Sequence, residues 1–295
     1  MMTTQDLVDA LEGRREGREF RCRCPVHGGR SLSITEKEGR ILLVCRAGCS
    51  QADVISEIKR LGLWNNTSYV PHPPAPEPQD DSERRANRAS EIWDEAHPIS
   101  PGDPVHKYLS GRKITLSEYP SDLRCHPALP CWEMDDHGKP VKIGIYPCML
   151  AVVRSPAGRP VALHRTYLTK DGHKAPVPSP KKIMKALDLT GSAVRLFPPR
   201  EGFLAITEGI EDALSAWILW QIPAWAALGT SGMRSFVPPE EVREILVLSD
   251  NDEPGKKAAL ELAFRLKETK KAVRVMTPDG QKDINGILMK GLHHG

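Results

Sequence analysis

In the last third of the chain, short apolar runs each lead to an acidic group, and that arrangement leaves few folds open. Phe203–Ile206 leads through Thr207 to Glu208, and Ile245–Leu248 leads through Ser249 to Asp250-Asn251-Asp252. Ala272–Met276 leads, after a loop, to Lys282-Asp283. Apolar runs this short read as buried strands. Helical patterns at Glu211–Gln221 and Gly255–Lys271 lie between them, which predicts parallel strands joined by helical crossovers. Ligands of such a sheet bind at the edge where the carboxyl ends of the strands meet. Carboxylates gathered there repel one another unless a cation holds them, and hard oxygen donors suit Mg²⁺ or Mn²⁺. Glu208, Asp250, Asp252 and Asp283 are therefore the candidate metal ligands, for phosphoryl or nucleotidyl chemistry. Taken singly, Glu208 also reads as a helix first-turn charge, and Asp250 and Asp252 as turn formers.

The charge is unevenly spread. Residues 139–200 carry twelve Lys/Arg against two acids, a local net of +10, whereas residues 201–295 carry eleven against fourteen, a net of −3. A basic stretch beside a carboxylate-bearing one suits a polyanionic substrate, one part neutralising phosphate and the other holding metal. No apolar run approaches the ~20 residues of a membrane span. The seven cysteines, with no export signal at Met1-Met-Thr-Thr, read as thiols or metal ligands in a cytoplasmic protein.

The N-terminal region has a signature of its own. Cys24-Pro-Val-His27 and Cys45-Arg-Ala-Gly-Cys49 form two ligand pairs separated by seventeen residues. Between them Ser31–Ile34 and Arg40–Val44 read as strands. Two such pairs on strands predict a tetrahedral Zn²⁺ site of Cys24, His27, Cys45 and Cys49, with Cys22 open as a substitute for Cys24. Thr4–Arg15 reads as an amphipathic helix presenting Leu7, Val8 and Leu11. Residues 65–83, with five prolines between 71 and 78, read as a stiff linker. The predicted organisation is thus a zinc module (1–64), the linker (65–83), a basic α+β segment (84–200) and an α/β segment with a parallel sheet (201–295).

The order and content of these motifs resemble those of zinc-containing Toprim DNA primases of bacteria, phages and plasmids. The cysteine–histidine module resembles the zinc-binding domain of that family. Thr207-Glu-Gly-Ile-Glu-Asp-Ala-Leu214, Ser249-Asp-Asn-Asp-Glu-Pro-Gly255 and Lys282-Asp-Ile-Asn285 resemble successive motifs of the Toprim domain. His164–Gly172 with Lys174-Ala175 resembles the segment preceding it in phage and plasmid primases.

The resemblance implies synthesis of short RNA primers on single-stranded DNA from nucleoside triphosphates. It places the catalytic metals on Glu208, Asp250 and Asp252, with Asp283 and Asp212 in support. It makes Lys174, Lys181 and Lys182 candidates for triphosphate contact and Arg165 the candidate phosphate clamp. Residues 1–64 would help read the template, and residues 84–200 would form the N-terminal part of the polymerase domain. No helicase domain follows in this sequence, so a separate replicative helicase is implied as a partner. One departure stands out: where the family often reads Asp-x-Asn-Asp, this chain reads Asp283-Ile-Asn-Gly286. A Toprim nuclease and a non-catalytic recombination mediator are the alternatives that the same acids leave open.

Overall fold

The computed structural model describes residues 4–16, 19–37, 40–47, 49–63, 82–135 and 139–291. It divides into two units, Met1–Pro78 and Gln79–Gly295. The proline-rich stretch lies outside the described residues except for 82 and 83, which open a helix.

In the first unit, helix α1 (Thr4–Ala10) precedes an antiparallel sheet of β1 (Arg14–Glu16), β2 (Glu19–Cys22), β3 (Leu32–Lys37) and β4 (Arg40–Cys45), and α2 (Gln51–Arg60) follows. The first helix is shorter than its apolar pattern predicts. Glu12 takes a left-handed conformation (φ 51°) and the Gly13 N–H bonds back to the Val8 carbonyl, which turns the chain into β1. Leu7, Val8 and Leu11 still reach the core, beside Leu32, Ile34, Val54 and Ile58. Ser50 caps α2 by accepting from the Asp53 N–H at 3.1 Å.

The second unit is built on one ten-stranded sheet. Helix α3 (Ser82–Asp94), β5 (His97–Pro98) and α4 (Pro104–Ser110) lead into antiparallel strands β6 (Leu123–Met134), β7 (Pro140–Arg154), β8 (Pro160–Tyr167) and β9 (Lys181–Lys185). Strand β10 (Ala193–Arg195) follows, and then β11 (Phe203–Thr207), α5 (Ile210–Trp220), β12 (Ala224–Ala226), α6 (Thr230–Ser235), β13 (Glu244–Leu248), α7 (Glu253–Lys267), β14 (Ala272–Met276) and α8 (Ile284–Lys290). The order along the sheet is β14-β13-β11-β12-β10-β7-β6-β5, with β8 on β7 and β9 on β8.

Strands β12, β11, β13 and β14 are parallel. The apolar runs of β11, β12 and β13 are continuous because helices cover both faces: α5 and α8 pack into one core, α6 and α7 into another. Strand β14 is the edge of the sheet and, against the buried strand that its sequence predicts, is largely exposed, with Arg274 in its middle. Thr207, Leu248 and Met276 stand in register across three strands, so the acids that follow them start from one sheet edge. Strand β10 bonds antiparallel to both β7 and β12. The basic strands and the acid-bearing strands therefore belong to one sheet, which continues through position 200/201. With its cores contained within residues 79–295, that fragment is expected to unfold in a single cooperative transition when made without residues 1–78. A broad transition by circular dichroism would contradict this.

Candidate active site and metal-binding cluster

At the carboxyl edge of the parallel strands a cleft of about 430 Å³ opens. Glu208, Glu211, Asp212, Asp250 and Asp283 line it on the acidic side. Arg112, Lys174, Lys181 and Lys282 supply the cations. Glu208 occupies the turn between β11 and α5, one residue before the N-cap Gly209 and so outside the first turn of the helix. Its Oε1 is buried and has no hydrogen-bond partner among the described residues. Gly255, in the first turn of α7, leaves this oxygen room. A Cβ there would lie 2.7 Å from Glu208 Oε1 and 3.0 Å from the Asp250 carbonyl, so any larger residue would displace the acids.

Asp283 also holds a helix, as does Asp252, which is exposed and not among the residues lining the cleft. Asp252 caps α7 by accepting from the Gly255 N–H at 2.8 Å, and Asp283 caps α8 by accepting from the Gly286 N–H at 2.7 Å. Capping occupies one oxygen of each carboxylate and aims the group at a helix N-terminus. Asn251, between Asp250 and Asp252, ties the last motif to β13. Its side chain donates to the carbonyls of Pro278 (3.1 Å) and Gln281 (3.0 Å), and its N–H donates to that of Lys282 (2.6 Å). Asn285 is buried; its N–H donates to Asp212 Oδ1 at 2.9 Å, and its side chain bonds Ser215 and Arg112. Gly286 contributes only its N–H.

The electrostatics follow from burial first and from crowding second. Burial, then the charges of Asp250 and Asp252, raise Glu208 to about 7. Burial, then Asp283 and Asp252, raise Asp250 to about 6 against the pull of Lys282. Burial also raises Asp212 to about 7; the Asn285 N–H opposes the rise, and Asp283 and Asp250 add to it. Glu211 behaves differently. Burial would raise it, but the Lys181 ammonium and the hydrogen bonds from Lys181 and Tyr108 outweigh burial and take it to about 2. Three carboxylates that resist ionisation side by side, one oxygen lacking a donor, make a donor set that fits a hard divalent cation.

The basic candidates separate. Lys174 and Lys181 line the cleft, and Lys174 is lowered by burial and then by the charge of Lys181. Lys182 also borders the cleft, but its ammonium is held by Glu133 at 2.7 Å and by the Trp132 carbonyl. Arg165 is not among the lining residues. Neighbouring strand residues face opposite ways, and His164 takes the cleft side. Arg165 instead reaches the Tyr167 hydroxyl at 3.2 Å, its guanidinium 5.9 Å from that ring. His164 is buried and lowered to about 4, by burial and then by Lys181, so it is neutral at pH 7. Arg112, Glu211 and Tyr108 were not candidates from sequence. Glu211 had a signal, standing beside Asp212 in the Glu208 motif; Arg112 and Tyr108 had none.

In the N-terminal unit, donor atoms of Cys24, His27, Cys45 and Cys49 all lie within 4.8 Å of one another. That spacing suits a tetrahedral ion with Zn–S bonds of about 2.3 Å. Burial opposes charge on Cys45, yet hydrogen bonds led by Ser31 outweigh it and bring the thiol to about 5. Cys49, raised by burial and by the sulfurs of Cys45 and Cys24, stands at about 11. One thiolate is thus ready at neutral pH, and a cation would draw the proton from another. Cys22 is not in the cluster. It is fully buried in the core and raised by burial to about 11.

Residues 203–293 match a family model described as the Toprim domain. This segment is a Toprim domain. Residues 83–196 match a domain of unknown function, DUF7146. The chain is similar in structure to the primase fragment of the bacteriophage T7 primase-helicase protein, at 21% identity and a TM-score of 0.38, over 50% of this chain and 59% of that one. It is similar to a DNA primase domain from Pseudomonas aeruginosa at 17% identity and a TM-score of 0.46, over 72% and 75%. It is also similar to the Aquifex aeolicus primase (zinc binding and RNA polymerase domains) at 14% identity and a TM-score of 0.44, over 97% and 80%. No curated protein matches the sequence. No helix among the described residues is long and apolar enough to cross a membrane.

Two measurements test this chemistry. Metal analysis should find about one Zn²⁺ per chain, lost in Cys45→Ala and kept in Cys22→Ser; zinc retained by Cys45→Ala would refute the assignment. The second concerns the Toprim acids. A carboxylate raised on folding contributes stability that is full below its unfolded value, near 4, and lost as pH rises through about 7. In EDTA, fragment 79–295 carrying Glu208→Gln should come closest to the parent Tm at about pH 4 and exceed it increasingly towards about pH 8, with Mg²⁺ raising the parent more than the variant. An offset that does not vary with pH would count against repulsion among the acids.

Proposed function

We propose that this protein is a DNA primase that makes short RNA primers on single-stranded DNA by metal-dependent nucleotidyl transfer. One observation carries the reading. Within the Toprim domain, Glu208, Asp212, Asp250 and Asp283 face the same cleft as Arg112, Lys174, Lys181 and Lys282. Acids buried and crowded until their pKa values rise need a cation, and cations beside them suit a polyphosphate. The Cys₃His cluster in the N-terminal unit supports the same reading, through the resemblance of the motif order to zinc-containing primases.

In this reading Glu208 and Asp250 are the main Mg²⁺ or Mn²⁺ ligands, with Asp212, Asp252 and Asp283 in support. Bound there, divalent ions would activate the primer 3′-hydroxyl and offset charge on the departing pyrophosphate. The chain's own contribution is placement. The caps at Gly255 and Gly286 fix Asp252 and Asp283, Asn251 keeps the two motifs together, and the Asn285 N–H holds Asp212. Lys174, Lys181, Lys282 and Arg112 bind the triphosphate, and neutral His164 lines the cleft with them without adding charge. Zn²⁺ in the N-terminal unit is structural and shapes a template-reading module. Unwinding of duplex falls to a separate helicase.

The test is incubation of the protein with random-sequence single-stranded DNA, labelled nucleoside triphosphates and Mg²⁺ or Mn²⁺. New short oligonucleotides are expected. Template degradation would mean a nuclease, and binding without either product a mediator. Asp250→Asn and Glu208→Gln, neither of which removes a helix cap, should stay folded and lose synthesis by ~10²-fold or more. Their template binding should be retained. Full synthesis by Asp250→Asn would rule out the metal site described here.

A further inference from the structure

Among the cleft acids, Glu211 alone has both carboxylate oxygens taken by donors from elsewhere in the fold. Lys181 Nζ lies 2.8 Å from Oε1 and donates to Oε2 at 3.0 Å, and the Tyr108 hydroxyl donates to Oε1 at 2.6 Å. Glu211 is 5% exposed, whereas the Lys181 side chain is 38% exposed and lines the cleft. The pair therefore has a buried end and an open end. Glu208 contrasts with it, its buried Oε1 lacking any partner among the described residues.

Behind Glu211 the support is rigid. Tyr108 is 4% exposed on α4. The turn at Gly172 presses against that helix, with a left-handed φ of 82° and room for no Cβ: one would lie 2.6 Å from both Lys107 Cβ and the Tyr108 nitrogen. The Arg112 guanidinium lies 5.1 Å from the Tyr108 ring and donates to Asn285 Oδ1 at 2.9 Å. Both open-ended cations, Lys181 and Arg112, are thus anchored through Tyr108 and its neighbours.

We infer that Glu211 is a positioning residue: held by Tyr108, it fixes the Lys181 ammonium so that its free N–H meets the phosphates of an incoming nucleoside triphosphate. The identity of that ligand rests on the proposed function. The physical basis is entropy and donor number. A free lysine loses its rotamer freedom when it binds phosphate, and one already held by a buried carboxylate has lost it beforehand. An ammonium has three donors, and two carboxylate oxygens leave at least one for the ligand. Glu211 is on this account not a metal ligand.

Steady-state primer synthesis by the full-length protein tests the inference through three readouts. Glu211→Gln should raise KM for nucleoside triphosphate about 10-fold while kcat falls by less than about 3-fold. The Mg²⁺ concentration for half-maximal rate should not move. Lys181→Met should give a similar KM, and the double variant no further rise, because both remove one interaction. Tyr108→Phe, which deletes a single hydroxyl, should raise KM about 2- to 3-fold and decides the matter if Glu211→Gln does not fold. Parental KM in Tyr108→Phe, a shifted Mg²⁺ midpoint in Glu211→Gln, or additive effects in the double variant would overturn the inference. Absence of primers from the parent would instead overturn the primase reading. In that event equilibrium binding of ATP decides: no binding by the parent, or equal affinity of parent and Tyr108→Phe, overturns the positioning role, and weaker binding by the variant upholds it.

Discussion

Repulsion among carboxylates at one edge of a parallel sheet is the constraint around which the larger unit is arranged. Strands in register deliver Glu208 and Asp250 to neighbouring positions, and α8 brings Asp283 beside them. Burial would make such a cluster untenable if every group were ionised without a partner. The fold meets this in two ways. It gives Asp252, Asp283 and Asp212 backbone N–H donors, although burial still raises Asp212 to about 7, and it leaves Glu208 and Asp250 short of donors, at about 7 and about 6. The second pair is where an added cation gains most.

Apart from Lys282, the opposing charge comes from outside the Toprim motifs. Lys181 is on β9 and Arg112 just beyond α4, and both belong to the unit whose sheet passes through β10 into the Toprim strands. A short strand, Ala193–Arg195, thereby joins the basic and acidic parts by backbone hydrogen bonds on both of its edges. Functional groups carried by one continuous sheet hold their spacing better than groups on separately packed bodies. The ion pair between Lys181 and Glu211 crosses that junction, so one acid of the Glu208 motif is occupied by a lysine.

The N-terminal unit obeys a different limit. It is small, and its apolar core includes the sulfur of Cys22 and of two of the clustered cysteines. Small domains bury a modest share of their surface, so a bound ion contributes a large part of their stability. Cys22 and Cys24 lie two residues apart. One fills the core and the other joins the cluster, and the spacing pattern by itself left both open.

The division between what the sequence determined and what the tertiary structure decided follows the range of the forces involved. Parallel strands, their crossovers and the acids at their ends were legible, because continuous apolar runs and helical periodicity are local and the acids follow directly. The cysteine and histidine pairs were legible for the same reason. Sequence could not separate Arg165 from Lys181, since the facing of a strand residue depends on which side its neighbours cover. Nor could it show that Lys182 is taken by Glu133, that Asn251 ties two motifs together, that Arg112 lines the cleft, or that Tyr108 holds Glu211 from about a hundred residues away in the chain. Those are contacts between distant segments, set by sheet register and packing, which no local pattern encodes.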